Sequence, residues 1–215
     1  MNYSSLVAQF KASYTKEQLK DFELIIELDS LKLAPKGHND AEGYQIFTPN
    51  FIVKSMSSAI GKDLFEFDKT ILEPTSGDGA FTVYVFEKRL EKAIKGNDFE
   101  IDSLKALSTI YSIEMDKELI EKQRNNVFTL LCSFIKKNKI SVCEGYFDLA
   151  KCIIVSNFMW AMFNSDNPID AGLFGSEIAY KMPEAEKGKL KPLDMPVWLI
   201  NKDKVEMHLE GVELW

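Results

Sequence analysis

The chain has 215 residues, of which 46% are hydrophobic and 27% are charged, and its net charge is −7. This length predicts one domain with a sizeable core, and the composition is that of a globular protein. The negative charge argues against nonspecific binding of nucleic acid, since contacts to phosphates supply most of that affinity, although it leaves room for a local basic groove.

The sequence also argues against a membrane protein and against a metal site. No apolar run is long enough to span a bilayer, and the first residues lack the basic start and apolar centre of a signal peptide. The three cysteines, Cys132, Cys143 and Cys152, have apolar neighbours and include no Cys-x-x-Cys pair. We therefore expect a cytoplasmic protein with reduced cysteines, no membrane partner and no bound metal.

The N-terminal part of the chain is predicted to be helical. Residues 3–33 have apolar side chains at helical spacing, and Thr15 with Gln18 three residues later predicts a capping box. A loop rich in proline, glycine and asparagine follows. Residues 1–43 are therefore taken as an N-terminal helical segment.

The next helix is predicted to begin at Pro49. Proline suits the first position of a helix because its missing N–H would be unpaired there, and Thr48 is a natural N-cap. Phe47 stands directly before this pair. Two interpretations are open at this point: a plain capped helix, or a segment that covers a ligand.

The stretch 71–81 predicts a strand, a tight turn and the start of a helix. Two apolar residues lead to Glu73, and Gly77 and Gly79 stand one residue apart before the helix. Glycines admit backbone angles that other residues resist, and the helix N-terminus offers unpaired N–H groups. Glu73 ends the strand on the side where ligands of open α/β sheets bind. Because Thr82 replaces the third glycine of a dinucleotide fingerprint, an NAD site is not expected.

A second strand is predicted at residues 110–116, followed by an amphipathic helix. Asp116 is expected to cap that helix, which leaves Glu114 as the ligand candidate. A carboxylate of this kind can accept two hydrogen bonds from a vicinal diol.

Further elements are predicted with less distinctive patterns. A short third strand is expected at residues 139–143, and an apolar strand is expected within residues 152–160. Beyond it, a helix at 169–181 and a hairpin at 197–209 are predicted, so that residues 161–215 form a C-terminal helix and hairpin.

In this order the motifs resemble those of the S-adenosyl-L-methionine-dependent amino-methyltransferases, and most closely the N6-adenine DNA methyltransferases. Glu-Pro-x-x-Gly-x-Gly-x-Phe at residues 73–81 is similar to motif I, and the Phe-Thr-Pro before it is similar to motif X. The resemblance covers residues 44–160, the implied cofactor-binding core of a single domain, 1–215. It implies a Rossmann-like class I methyltransferase fold, an α/β domain with a mostly parallel sheet and helices on both faces.

The resemblance implies S-adenosyl-L-methionine as the cofactor. Motif I would hold its methionine moiety, motif X would fold over it, and Glu114, at the position of motif II, would bind the ribose hydroxyls. At the position of motif III, Tyr146 stands where the family has an acid. The implied cofactor-binding residues are Phe47, Thr48, Glu73, Pro74, Gly77, Gly79, Phe81, Glu114 and Asn157.

Motif IV carries the family's catalysis, and here it is altered. The chain reads Asn157-Phe158-Met159-Trp160, whereas the family has two prolines between its polar residue and its aromatic. The resemblance implies that the amide oxygen of Asn157 and the carbonyl of Phe158 accept the hydrogens of adenine N6, while Trp160 stacks on a flipped base. Without the prolines, the backbone angle that aims this carbonyl is not fixed.

Three functions remain open from the sequence. The first is an N6-adenine methyltransferase that acts on DNA, with a separate recognition subunit or a second copy as its partner. The second is a methyltransferase-like domain that binds the cofactor or a partner protein without transfer, which the bulky Phe158 and Met159 favour. The third is methyl transfer to a protein or a small amine. A homo- or hetero-oligomer is compatible with each.

Overall fold

The computed structural model describes residues 2–33, 39–40, 45–46 and 48–160. Seven α-helices and one 3-10 turn lie in this part of the chain: α1 Ser4–Ser13, α2 Lys16–Leu24, α3 Asn50–Ile60, the 3-10 turn Lys62–Phe65, α4 Ala80–Ala93, α5 Phe99–Ser108, α6 Lys117–Asn138 and α7 Tyr146–Asn157. The strands are β1 Asn39–Asp40, β2 Gln45–Ile46, β3 Ile71–Glu73, β4 Ile110–Glu114 and β5 Phe158–Trp160. The expectations for Phe47 and for residues 161–215 lie outside the described residues.

A three-stranded parallel sheet forms the centre of the described domain. Its order is β3-β4-β5, with Glu73 opposite Ser112 and Trp160 opposite Glu114. Every residue of β4 is buried, because helices α5, α6 and α7 all pack against this middle strand. Strands β1 and β2 form a separate antiparallel pair. The chain is therefore an α/β protein whose sheet is consistent with a Rossmann-like fold.

Several local predictions are confirmed. Strands β3 and β4 lie where the sequence placed them, and a helix follows each turn as expected. Asp116 caps α6, since its carboxylate accepts from the backbone N–H groups of Glu118 and Leu119. The capping box at Thr15 and Gln18 is present, with both reciprocal hydrogen bonds formed.

Two predictions about the N-terminal half are wrong. The segment 3–33 is not helical throughout, because α2 ends at Leu24 and the chain then runs alongside α6. There the N–H of Ile26 donates to Asn125 at 2.8 Å, and side chains of α6 satisfy further backbone groups of this segment. Thr48 does not cap α3: Pro49 occupies the N-cap position, and no side chain caps this helix.

Two predictions about the second half are also wrong. Residues 139–143 form no strand and instead connect α6 to the turn before α7. The apolar run that begins at Cys152 is helical, and α7 continues to Asn157, so that only residues 158–160 are extended. This helix is buried on almost every side, which hides the helical period that would have distinguished it from a strand.

A buried arginine ties the N-terminal helices to the sheet. Arg124 on α6 is 4% exposed, its guanidinium lies 2.7 Å from the carboxylate of Asp21 on α2, and it donates twice to the carbonyl of Phe158 on β5. None of the helices in the described part of the chain has the length and apolar character needed to cross a membrane.

Candidate functional site

The carboxyl ends of the three parallel strands bring the acidic candidates to one edge of the sheet. Glu73 ends β3, Glu114 ends β4, and Trp160 ends β5 beside Glu114. This is the edge at which ligands of open α/β sheets bind. The two acids that the sequence selected are therefore close neighbours, although 41 residues separate them in the chain (114 − 73).

The turn after β3 depends on its two glycines. Gly77 has φ +56° and Gly79 has φ +84°, which side chains rarely tolerate. A Cβ atom on Gly79 would lie only 2.4 Å from the side chain of Gln123, whereas one on Gly77 would meet open space. Gly79 is thus required for its backbone angle and for close packing against α6, and Gly77 for its backbone angle alone.

Glu114 holds this turn in place. Its carboxylate accepts from the N–H of Gly77 at 2.7 Å and from the N–H of Asp116 at 2.9 Å. The residue is only 8% exposed. A carboxylate has about four acceptor positions, so Glu114 can bind these two N–H groups and still accept from a ligand.

A small hollow lies between the turn and the start of α3. Its volume is about 50 Å³, enough for a few non-hydrogen atoms. It joins two stretches that are far apart in the sequence, because Thr48 faces the turn across it. The lining residues are Thr48, Glu73, Thr75, Ser76, Gly77, Asp78, Ala80 and Phe81.

The carboxyl group of Glu73 has an unusual proton affinity. Its pKa is raised from 4.5 to about 8: loss of hydration is the largest cause, the hydrogen bonds from Thr82 act in the opposite direction, and the nearby Asp78 and Glu114 contribute to the rise. The hydroxyl of Thr82 donates to Oε2 of Glu73 at 2.5 Å. A positive charge in the hollow would therefore be favoured, because it would offset the burial of the ionised carboxylate.

The surroundings of the hollow are acidic on more than one element. Asp78 is 2% exposed and lies 3.3 Å from the ammonium of Lys122 on α6. The backbone carbonyl of Asp78 also accepts from the side chain of Asn126. Three carboxylates thus surround this edge, and Lys122 is paired with one of them.

The sequence interpretation missed a buried polar network behind the turn. Gln123 on α6 is fully buried, accepts from the hydroxyl of Ser76 at 2.7 Å, and donates to Thr82 at 3.1 Å and to Ser112 at 2.8 Å. A signal for it exists in the sequence, since Gln123 stands among the apolar positions of an amphipathic helix. A polar residue on a buried helix face needs hydrogen-bond partners.

The structure does not bring Asn157 to this edge. Asn157 ends α7 before β5 begins, and its side-chain amide donates to the carbonyls of Ser108 and Ile110, at the amino end of β4. The two ends of β4 are about 13 Å apart. The expectation that Asn157 binds cofactor or substrate here is therefore corrected, because a residue before a parallel strand lies at its opposite end.

Of the other residues at the motif III and motif IV positions, Tyr146 and Phe158 are bonded within the core, and Trp160 lies at the carboxyl edge of the sheet. The carbonyl of Phe158 accepts two hydrogen bonds from Arg124, at 3.0 and 2.7 Å, so the role expected for it toward adenine N6 is not supported. Tyr146 is buried, and its hydroxyl lies 2.6 Å from that of Ser103. Trp160 does reach the edge, where its indole N–H donates to the carbonyl of Met115 at 2.9 Å.

The remaining candidates lie in or next to the turn. Pro74 continues from Glu73 into the turn and is half-buried, and Phe81 lines the hollow from the first turn of α4. In the described part of the chain, no group of three or more histidine, cysteine, aspartate or glutamate side chains has the arrangement of a metal site.

The described site is thus a glycine turn at the carboxyl edge of a parallel sheet. Glu114 accepts a hydrogen bond from this turn, and Glu73 lines the hollow beside it. Comparison of the chain with protein-family models, with curated proteins and with solved structures gives no match.

Proposed function

We propose that this chain binds S-adenosyl-L-methionine at the carboxyl edge of β3 and β4, as the cofactor domain of an N6-adenine-type methyltransferase. The observation that carries the proposal is the convergence of Thr48, Glu73 and the Gly77–Gly79 turn on one hollow, with Glu114 bonded to the same turn. These are the positions at which the sequence resembles motifs X, I and II.

The chemistry of the residues fits such a ligand. The cofactor supplies a methyl group activated on a positively charged sulfur, and its methionine end carries an ammonium group. Asp78 lines the hollow, Glu73 would ionise beside a bound cation despite its raised pKa, and Glu114 keeps acceptor capacity suited to a ribose diol. The hollow of about 50 Å³ admits an end group of the ligand, so the larger part of the molecule would lie along the open edge.

The residues of the chain would bind and orient the cofactor rather than react with it. Transfer of a methyl group depends mainly on alignment of the acceptor with the sulfonium. Glu73 and Glu114 would hold opposite ends of the cofactor, and the turn between them fixes the distance. Trp160 lies at the same edge, but it is only 9% exposed and the ammonium of Lys117 lies 4.9 Å from the centre of its ring, so the structure does not present this ring to a base. Adenine in DNA, bound with a recognition subunit, is the acceptor that we propose.

A second candidate function is binding of the cofactor without transfer. It is favoured by the placement of both expected acceptor groups: the side-chain nitrogen of Asn157 donates to two carbonyls at the amino end of β4, and the carbonyl of Phe158 already accepts two hydrogen bonds from Arg124. In this case the domain would bind cofactor or a partner protein and leave DNA unmodified.

Isothermal titration of the full chain with S-adenosyl-L-methionine tests the cofactor proposal. We expect saturable binding that weakens at least tenfold in Glu73→Gln and in Glu114→Gln, because each removes a charged hydrogen-bond acceptor. Glu87→Gln, an exposed glutamate on α4, serves as the matched control. Absence of heat with millimolar cofactor would reject the proposal.

Methyl transfer separates the two candidates. The chain is incubated with unmethylated DNA and cofactor carrying a labelled methyl group, and label in N6-methyladenine is measured. Label that disappears in Glu73→Gln supports the enzyme, whereas binding by titration with no label in DNA supports the non-catalytic domain.

A further inference from the structure

We propose that Gln123 is the positioning residue of this site, and that its amide directs the hydroxyl of Thr82 onto Glu73 so that the carboxylate is held ready for a cationic group in the hollow. The cationic ligand is that of the proposed function, whereas the positioning itself does not depend on it. Gln123 lies on α6, 50 residues after Glu73 (123 − 73). It does not line the hollow itself, but it accepts a hydrogen bond from Ser76, which does.

Gln123 connects four elements: its own helix α6, the turn after β3, α4 and β4. Its side chain is fully buried and bonds to Ser76 in the turn, Thr82 in α4 and Ser112 in β4. It also fills the space that a side chain on Gly79 would need. One amide thus fixes the turn, the following helix and the middle strand relative to α6.

The hydrogen bonds of Gln123 have a defined direction. The amide nitrogen of Gln123 donates to the oxygens of both Thr82 and Ser112, and these two hydroxyls lie 3.0 Å apart. A hydroxyl has one hydrogen to give. When Thr82 accepts from Gln123 and from Ser112, its own hydrogen points to Oε2 of Glu73, at 2.5 Å.

Charged groups from more than one element face Glu73. Asp78 in the turn and Glu114 on β4 both disfavour its ionised form, while the ammonium of Lys122 on α6 is paired with Asp78. The bond from Thr82 opposes burial by stabilising the carboxylate, and it lowers the pKa of Glu73. Without Gln123, the Thr82 oxygen would lose the N–H group that holds it between α6 and β4, and its hydrogen bond to Glu73 would weaken.

The test is an NMR titration of the Glu73 carboxyl carbon in the full chain, with the signal assigned by its loss in Glu73→Gln. Gln123→Met keeps the volume of the side chain but removes its hydrogen bonds, and Thr82→Val removes the hydroxyl itself. In both variants we expect the proton affinity of Glu73 to rise about tenfold, which is the effect of losing one charged hydrogen bond. Thr82→Ser, which keeps the hydroxyl, should titrate like the wild type.

A second readout connects the positioning to the ligand. At pH 7.5 the affinity for S-adenosyl-L-methionine should fall about tenfold in Gln123→Met and Thr82→Val and stay within twofold in Thr82→Ser. An unchanged titration of Glu73 in Gln123→Met overturns the proposal, and so does an unchanged titration in Thr82→Val, which tests the same contact with little change of shape. If the cofactor does not bind at all but Glu73 shifts as expected, the proposed function fails and the positioning role stands.

Discussion

Replacement of Glu73 by glutamine should stabilise the protein at high pH and leave its stability nearly unchanged at pH 5. Burial raises the pKa of Glu73 from 4.5 to about 8, so the folded state binds a proton that the unfolded chain releases. The stability that this carboxyl contributes is fully present below pH 4.5 and is lost as the pH rises through 8. Glutamine resembles the protonated carboxyl and does not titrate.

The expected magnitude follows from the same two values. The difference between 4.5 and about 8 corresponds to about 5 kcal/mol in the free energy of unfolding. Glu73 is partly exposed, and solvent relaxation reduces this figure, so we expect Glu73→Gln to gain about 2–4 kcal/mol at pH 8.5. At pH 5 the wild-type carboxyl is protonated in the fold, and the expected difference is below about 1 kcal/mol.

Urea unfolding followed by tryptophan fluorescence measures both values, since the chain has three tryptophans and Trp160 is buried. Glu87→Gln, on the exposed face of α4, controls for the loss of one negative charge. A gain of equal size at pH 5 and pH 8.5 would refute the reasoning, because a charge effect of Glu73 must vanish where the carboxyl is neutral. A loss of stability at pH 8.5 would refute it as well.

Three further predictions concern the turn, the far edge of the sheet and the ligand. Gly77→Ala should lower the unfolding free energy by about 1–2 kcal/mol, because alanine disfavours the positive φ at this position. Gly79→Ala should lower it by at least about 1 kcal/mol more in the same urea assay, because its Cβ would also lie 2.4 Å from the side chain of Gln123. Asn157→Ala should lower the unfolding free energy by about 1–3 kcal/mol, since two buried carbonyls lose their donor. Its cofactor affinity, measured by titration calorimetry, should stay within twofold of the wild type. Normal stability with abolished methyl transfer would instead support a catalytic role for Asn157. Cofactor affinity should rise between pH 6.5 and 8 by up to about tenfold per pH unit, because a bound cation displaces the proton of Glu73, and this dependence should be absent in Glu73→Gln.

The parts of the site that could be predicted are those set by local chemistry. The turn at Gly77 and Gly79 follows from the backbone angles that only glycine adopts easily, and the cap at Asp116 follows from a side chain that reaches its own backbone. Glu73 and Glu114 each end an apolar strand, and parallel pairing of successive strands brings such ends together. Each of these signals lies within a few residues of the feature that it predicts.

The parts that could not be predicted depend on contacts between distant elements. Gln123 is recognisable as a polar residue on an apolar helix face, but its partners Ser76, Thr82 and Ser112 come from three other elements. The elevated pKa of Glu73 likewise depends on its burial, which no local pattern encodes. The direction of the hydrogen bonds in the network follows only when all four elements are assembled.

The prediction for Asn157 is wrong about the end of the strand at which its side chain lies. Interpreted as the end of a strand, an apolar run followed by asparagine delivers its amide to the carboxyl edge; in the structure the run is α7, the strand begins only at Phe158, and the same amide faces the amino end of β4. In a parallel sheet the boundary between helix and strand decides at which end a side chain lies. Because the strand starts at Phe158 rather than at Cys152, Asn157 supports the core at the amino end of β4, while Glu73 and Glu114 lie at the carboxyl edge.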